Sequence, residues 1–427
     1  MPKRALAIHT LRHRDFRLLW MADGVSILGT QIQRVAVLWQ LSQLTGSPFW
    51  LGMLGLVQFV PMLIFGLYGG AFADRVDRRK ILIGTHIALM GTSGILAVAT
   101  ATGTINMPII FGVITISSSL NAFAGPARHA LIPTLVPRAE IAGAATVANL
   151  VMQTASIAGP AIGGLLIAWH GVTLAYIYDA CSFMAVIVAA WKISARPAFV
   201  SPKQRGLNAI RDGLVFLWAT PILLSVMVLD FIATFFGAFT YQVPLIAERL
   251  LGAGAEQMGL LLSAPAAGAV IGSLILGVLP IPQRAGLGVI LAVIAYGGCV
   301  LGFALSTNLI IAMLFLAGSG GADAVSMALR QAIRNLVTPD HYRGRIAAVH
   351  STFAMGGPQL GELRAGAMAS LTSLPFAIAS GGIMTILGCL LMVKLVPGLS
   401  RYRTDSQTVE VIGATPSSAR KTTAPTS

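Results

Sequence analysis

Apolar runs of about 20 residues recur along this chain, each closed by a short polar stretch, and that is the length an α-helix needs to cross a hydrocarbon core about 30 Å thick. Twelve spans can be read, at about 16–42, 47–73, 80–103, 106–127, 143–169, 172–194, 221–247, 255–280, 283–306, 308–333, 345–372 and 375–397. The pattern predicts an all-α polytopic membrane protein. Its sharpest polar interruption is Asp74-Arg75-Val-Asp77-Arg78-Arg79-Lys80, where six charges in seven residues cannot lie in lipid and must form a short loop between the second and third spans. Gly69 and Gly70, just before it, let that helix end pack closely against another backbone.

Positive charge sets the expected orientation. Of 29 Lys and Arg, only Arg34, Arg249 and Arg364 fall away from the N-terminus, the even-to-odd loops, the central linker and the C-terminus. Both termini and the 74–80 loop are therefore expected on the cytoplasmic side. The expected organisation is a cytoplasmic segment 1–15, a six-helix bundle 16–194, a linker 195–220, a second bundle 221–397 and a disordered tail 398–427. Apolar positions within 207–217 recur at helical spacing, predicting an interfacial helix in the linker. The basic N-terminal segment suits contact with anionic lipid.

The two bundles keep register. Asp23 precedes Gly52 by 29 residues and Gly70 lies 18 further on, and Asp230, Gly259 and Gly277 repeat that spacing 207 residues later. At an offset of 202, Asn121 matches Asp323, Arg128 matches Arg330 and Pro137 matches Pro339. Gly159-Pro160-x-x-Gly163 lines up with Gly357-Pro358-x-x-Gly361 after a deletion of four. Such parallel duplication into two pseudo-symmetric six-helix halves is a transporter architecture, with substrate held between the halves near the midplane.

Composition narrows the function. Hydrophobic residues make up 56% of the 427, charged ones only 10%. The net charge of +14 sits in inter-helix loops and not on a folded face, which excludes nucleic acid as a partner. Cys181, Cys299 and Cys389 each fall within an apolar run without metal or disulfide spacing and read as small buried residues. The first span carries Asp23, Gln31, Gln33 and Arg34 and lacks a cleavage site, so it is expected to persist as a helix. No Walker loop, HExxH or GxSxG is present; neither an enzyme, a cofactor nor a metal is expected.

The ionisable residues inside spans are the candidate site: Asp23, Arg34, Asp179, Asp230, Asp323, Glu362 and Arg364. Each is costly in lipid unless it faces the bundle interior. Asp23 and Arg34 lie eleven residues apart, too far along one helix to pair. The duplicated Asp23 and Asp230 favour a structural or gating role, and Asp179 a helix-packing hydrogen bond. Glu362 and Arg364, spaced i, i+2, are expected on different faces. Glu362 is a candidate proton carrier, with an ion pair to Arg364 or Arg34 as the alternative. His86 and His170 read as structural.

Gly70-x-x-x-Asp74-Arg75-x-x-Arg78-Arg79-Lys80 resembles the signature loop between helices 2 and 3 of the major facilitator superfamily, with Asp77 where that signature usually has Gly. Gly159-Pro160-Ala-Ile-Gly163-Gly164 resembles the motif of its drug–proton antiporters, although the preceding glycines are absent. Arg14-Asp-Phe-Arg17-Leu-Leu-Trp20, Gly125-Pro-Ala-Arg128 and Asp340-x-x-Arg343-Gly-Arg345 are similar to the bacterial enterobactin-exporter and macrolide-efflux branch. The resemblance implies a monomeric bacterial inner-membrane exporter of an amphipathic drug or siderophore, exchanging it for protons by alternating access. It also implies a cytoplasmic latch role for Asp74, Arg75 and Arg78, while Asp77 and Arg79 are expected to be solvated. An importer, or a receptor on the same fold, remains the alternative.

Overall fold

The computed structural model describes residues 9–73, 76–193, 214–278 and 284–402, with backbone alone described for 67–73, 348 and 352. Six long helices come first: α1 Arg14–Thr45, α2 Pro48–Ala73, α3 Arg78–Ala101, α4 Met107–Leu131, α5 Ile141–His170 and α6 Val172–Lys192. Then follow α7 Pro221–Phe236, α8 Val243–Arg249, α9 Ala255–Val278, α10 Ala285–Ala304, α11 Leu309–Val337, α12 Asp340–Leu371 and α13 Leu374–Leu395. Helix starts are set by side-chain caps. Asp77 accepts from the Arg79 amide at α3, Asn106 from Ile109 at α4, Asn308 from Ile310 at α11 and Ser373 from Phe376 at α13, each satisfying a backbone donor the helix cannot. Gly46 ends α1 in the left-handed region, at φ 57°.

Among the described residues, ten helices are long and apolar enough to cross a membrane. The two 32-residue helices α1 and α12 fall outside that criterion because they carry the polar and charged side chains of the interior. In α1, Gln33 donates to Ser93 of α3 (2.8 Å), whose hydroxyl donates to Asp179 of α6 (2.6 Å). About two turns along, Gln40 meets Thr100 of α3 (3.0 Å) and the Tyr176 hydroxyl of α6 (2.7 Å). These bonds hold α1 against α3 and α6, and apolar packing does the same around Ile32, Leu38, Leu41, Leu96 and Ile110.

The seventh span is not the continuous helix expected over 221–247. It stops at Phe236, crosses Gly237, Ala238 and Phe239, and resumes through a 3-10 turn Thr240–Gln242 into α8. Most of the interfacial helix expected at 207–217 lies outside the described residues; 214–219 is helical, with Leu217 packed on Leu223 and Ile346 and Phe216 stacked on Tyr342 at 4.3 Å. Cys181 is exposed and Cys299 half-buried, so only Cys389 is the small buried residue all three were expected to be.

Helices α1 to α6 pack mainly with one another, as do α7 to α13, and two seams join the sets: α2 with α12, and α5 with α9. Glycines make both. A Cβ at Gly52 would stand 2.6 Å from the Glu362 carbonyl oxygen and 2.9 Å from Cα of Gly366; one at Gly164 would stand 2.5 Å from the Ala255 oxygen and 2.9 Å from Cα of Gly259. Gly52 and Gly259 are the positions matched by the sequence duplication, so the seams are related by the same internal symmetry.

Candidate functional site

Helix α12 places Glu362 and Arg364 on either side of the break in the seventh span. The Glu362 carboxylate accepts from the Thr240 amide (Oε1, 2.8 Å) and the Tyr241 amide (Oε2, 3.0 Å), while the Arg364 guanidinium donates to the carbonyl oxygens of Phe236 (2.7 Å) and Ala238 (3.5 Å). A negative group thus meets a helix N-terminus and a positive group a C-terminus, where each is favoured by the orphan backbone groups. The i, i+2 spacing did not separate their targets as expected, because the broken helix presents donors and acceptors to both. The ion pairs considered for Glu362, with Arg364 or Arg34, are absent among the described residues. Arg34 instead lies over the Tyr241 ring, 5.5 Å from its centroid.

Around this acid–base grip the two halves are bonded directly. The Tyr241 hydroxyl lies 3.1 Å from Oε1 of Gln58 and 3.2 Å from Oε1 of Gln359. Gln242 donates to the Pro48 carbonyl (3.2 Å), Gln43 to Glu248 (3.1 Å) and Arg249 to the Gly46 carbonyl (2.6 Å). Apart from the Tyr241–Gln359 contact, which lies within the second half, these join the halves at the end away from the α2–α3 connection. Towards the α2–α3 end, Val60, Leu63 and Ile64 of α2 and Phe353 and Met355 of α12 are exposed. Among the described residues the halves are bonded to one another at one end, and at the other, which is the parted end, apolar side chains of α2 and α12 are exposed. Tyr241, Gln58, Gln359 and Gln242 were missed by a search confined to ionisable groups; their signal is uncharged polarity inside otherwise apolar spans.

The remaining candidates lie towards the parted end. Asp230 of α7 pairs with Arg330 of α11 (3.0 Å) and with His350 of α12 (3.4 Å), and Arg330 also reaches Asp323 (3.4 Å). Asp23, by contrast, borders a cavity of about 180 Å³ between α1, α4 and α5, together with Arg128. The fifth-span motif is interfacial: Gly159 faces Gln31, Gly163 faces Ile32 and Val35, and Gly164 faces α9. A side chain at any of them would push α5 from α1 or α9. Gly70 lies in the last turn of α2, and Asp74 and Arg75 lie outside the described residues. Arg78 donates to the Ala130 carbonyl (2.9 Å) and Arg79 to those of Ala190 and Trp191 (2.9 Å each). Arg79 and Asp77 were expected to be solvated; both are half-buried, Arg79 closing the end of α6 and Asp77 capping α3.

Two helical sets joined by glycine seams, with charged side chains kept inside and one end sealed, define a membrane transporter of the major facilitator superfamily. The chain belongs to that superfamily: the family model described as a transmembrane secretion effector matches residues 5–409. Among relatives, it is 28% identical over 396 residues to the enterobactin exporter EntS of Escherichia coli, covering 92% of this chain and 94% of that protein. Among solved structures, it is similar in fold to a bacterial homolog of the human lysosomal transporter Spinster in an inward-facing, unoccupied conformation, with TM-score 0.67, 13% identity and coverage of 91% of this chain and 96% of that one. It is also similar to the nucleoside transporter NupG, with TM-score 0.69, 10% identity and coverage of 91% and 99%.

Proposed function

We propose that this transporter exports an amphipathic small molecule, siderophore-like or drug-like, from the bacterial cytoplasm by alternating access, driven by inward proton flow. The observation that carries export is the near full-length likeness to an enterobactin exporter. Alternating access is supported by the one-sided closure, since a cleft sealed at one end must exchange that seal for another to release its load. With the basic loops on the cytoplasmic side, as their Lys and Arg favour, the parted end faces the cytoplasm and substrate enters there.

Glu362 is the proposed coupling carboxylate. Its charge holds two amide donors of the broken span inside the seal. Gain or loss of a proton there changes a charge-assisted acceptor within the seal, which ties the protonation state of Glu362 to the change of access. Asp74, Arg75 and Arg78 are proposed to latch the opposite access state. Inverted membrane vesicles containing the protein test the reading: an imposed proton gradient should drive uptake of enterobactin or of a lipophilic dye such as ethidium. Accumulation confined to right-side-out cells would mean import.

A further inference from the structure

The internal duplication puts similar charged groups at two places, and only in the second half do they form ion pairs among the described residues. In the second half, Arg330 is buried and Nη2 lies 3.0 Å from Asp230 and 3.4 Å from Asp323, with His350 on the other Asp230 oxygen. The matching positions of the first half hold Asp23, Arg128 and Asn121. Asn121 turns its amide back to the Ser117 carbonyl (2.9 Å), so the second acid of the cluster is missing. Neither Asp23 nor Arg128 has a hydrogen-bond or ion-pair partner among the described residues. Both instead line the cavity between α1, α4 and α5, whose walls include Phe16, Trp20, Ile27 and Met152. The Trp20 indole N–H is already given to the Val147 carbonyl (3.2 Å), so the ring turns an apolar face to the space.

Arg128 acts electrostatically on Asp23 without touching it, and a carboxylate and a guanidinium left without direct hydrogen-bond partners in a partly apolar cleft within a membrane domain are costly. The cavity is too large for a single bridging water. A ligand with one charge would compensate one group and strand the other; a ligand with both would compensate both. We propose that this cavity binds a small zwitterion with an aromatic or aliphatic body, its cationic group on Asp23 and its anionic group on Arg128. The site lies within the first half and towards the parted end, away from the seal between the halves, and the proposal rests on the transport reading only for the route by which the ligand arrives.

Three probes sharing one ring separate the charges: L-phenylalanine carries both, phenethylamine only the cation and 3-phenylpropionate only the anion. In calorimetric titration of the purified full chain, phenylalanine should bind at least about tenfold tighter than either analogue, about 1.4 kcal/mol. Asp23→Asn should remove its advantage over phenylpropionate, and Arg128→Gln its advantage over phenethylamine. Asn121→Asp deletes no ligand contact but rebuilds the second-half cluster, drawing Arg128 to the new carboxylate; it should weaken phenylalanine and phenylpropionate about tenfold and leave phenethylamine unchanged. Equal binding of the three probes by the unmodified protein, no binding of phenylalanine, or an Asn121→Asp variant that melts normally and binds like the parent would each overturn the proposal. Because vesicle transport is read separately, export with no charge preference in these titrations would reject the zwitterion site and leave export standing.

Discussion

Asp179 is wholly buried, and one of its oxygens has no partner while the other takes the Ser93 hydroxyl. Ser93 is therefore the donor that makes this acid tolerable, and it also accepts from Gln33. Ser93→Ala should cost about 1–3 kcal/mol of stability, the range for stranding a buried polar group, seen as a lower melting temperature in detergent with no change in topology. Glu362 is held differently, by two backbone donors from a single turn. Glu362→Gln keeps an acceptor oxygen but aims an NH₂ at one of those amides. Uphill export should be abolished while substrate counterflow, which needs no proton cycle, persists; unchanged uphill export would reject the coupling role. Asp23, Asp230, Glu362 and Arg364 were all legible in the sequence as charges inside apolar spans. The partners of Glu362 and Arg364 were not, because backbone carbonyls and amides of a broken helix leave no mark in the residue pattern.

At the scale of elements, most spans were legible because lipid demands long apolar runs and the loops between them are short and charged. The break at Gly237–Phe239 was not legible: Gly237-Ala-Phe239 is as apolar as its flanks, and the disruption is stabilised by α12, more than a hundred residues away in sequence. The seams offer a matched comparison. On α2, a methyl at Gly52 would meet the backbone of α12, whereas one at Gly66 would meet nothing within 4 Å. Gly52→Ala should reduce export at least about tenfold at normal expression by forcing α2 from α12, and Gly66→Ala should leave it unchanged; equal effects would remove the seam from the mechanism. The α2–α3 connection divides its charges by task. Arg78 and Arg79 donate to carbonyls of the first half in the state described, and Asp74 is the acid of the proposed latch to test. Asp74→Asn should impair transport in a well-expressed, folded protein, because the loss falls on one access state and not on the core.

For the whole molecule, direction is the quantity to measure. Cysteines placed singly at Asp77 and Ser47 should be labelled from opposite membrane faces by an impermeant thiol reagent, position 77 from the cytoplasm, given the distribution of Lys and Arg. Labelling from the same face would end the two-sided arrangement on which the export reading depends. The internal duplication was legible in the sequence as spacing, but the divergence of its halves was not. One half pairs its charged groups with one another and the other leaves them facing a cavity, with Asn121 standing where the second half has Asp323.

The break in the seventh span also bears on how the protein is made. The Thr240 amide and its Glu362 acceptor are 122 residues apart. At ribosomal rates of roughly 5–20 residues per second, α7 and α8 would wait on the order of ten seconds before α12 emerges. During that interval the exposed backbone groups at the break have no permanent partner, and in hydrocarbon each such group is expensive. Nascent chains ending before α12 should accordingly be held by insertion machinery or degraded, and a helix that begins at Asp340 completes the fold of the one that opens the second half.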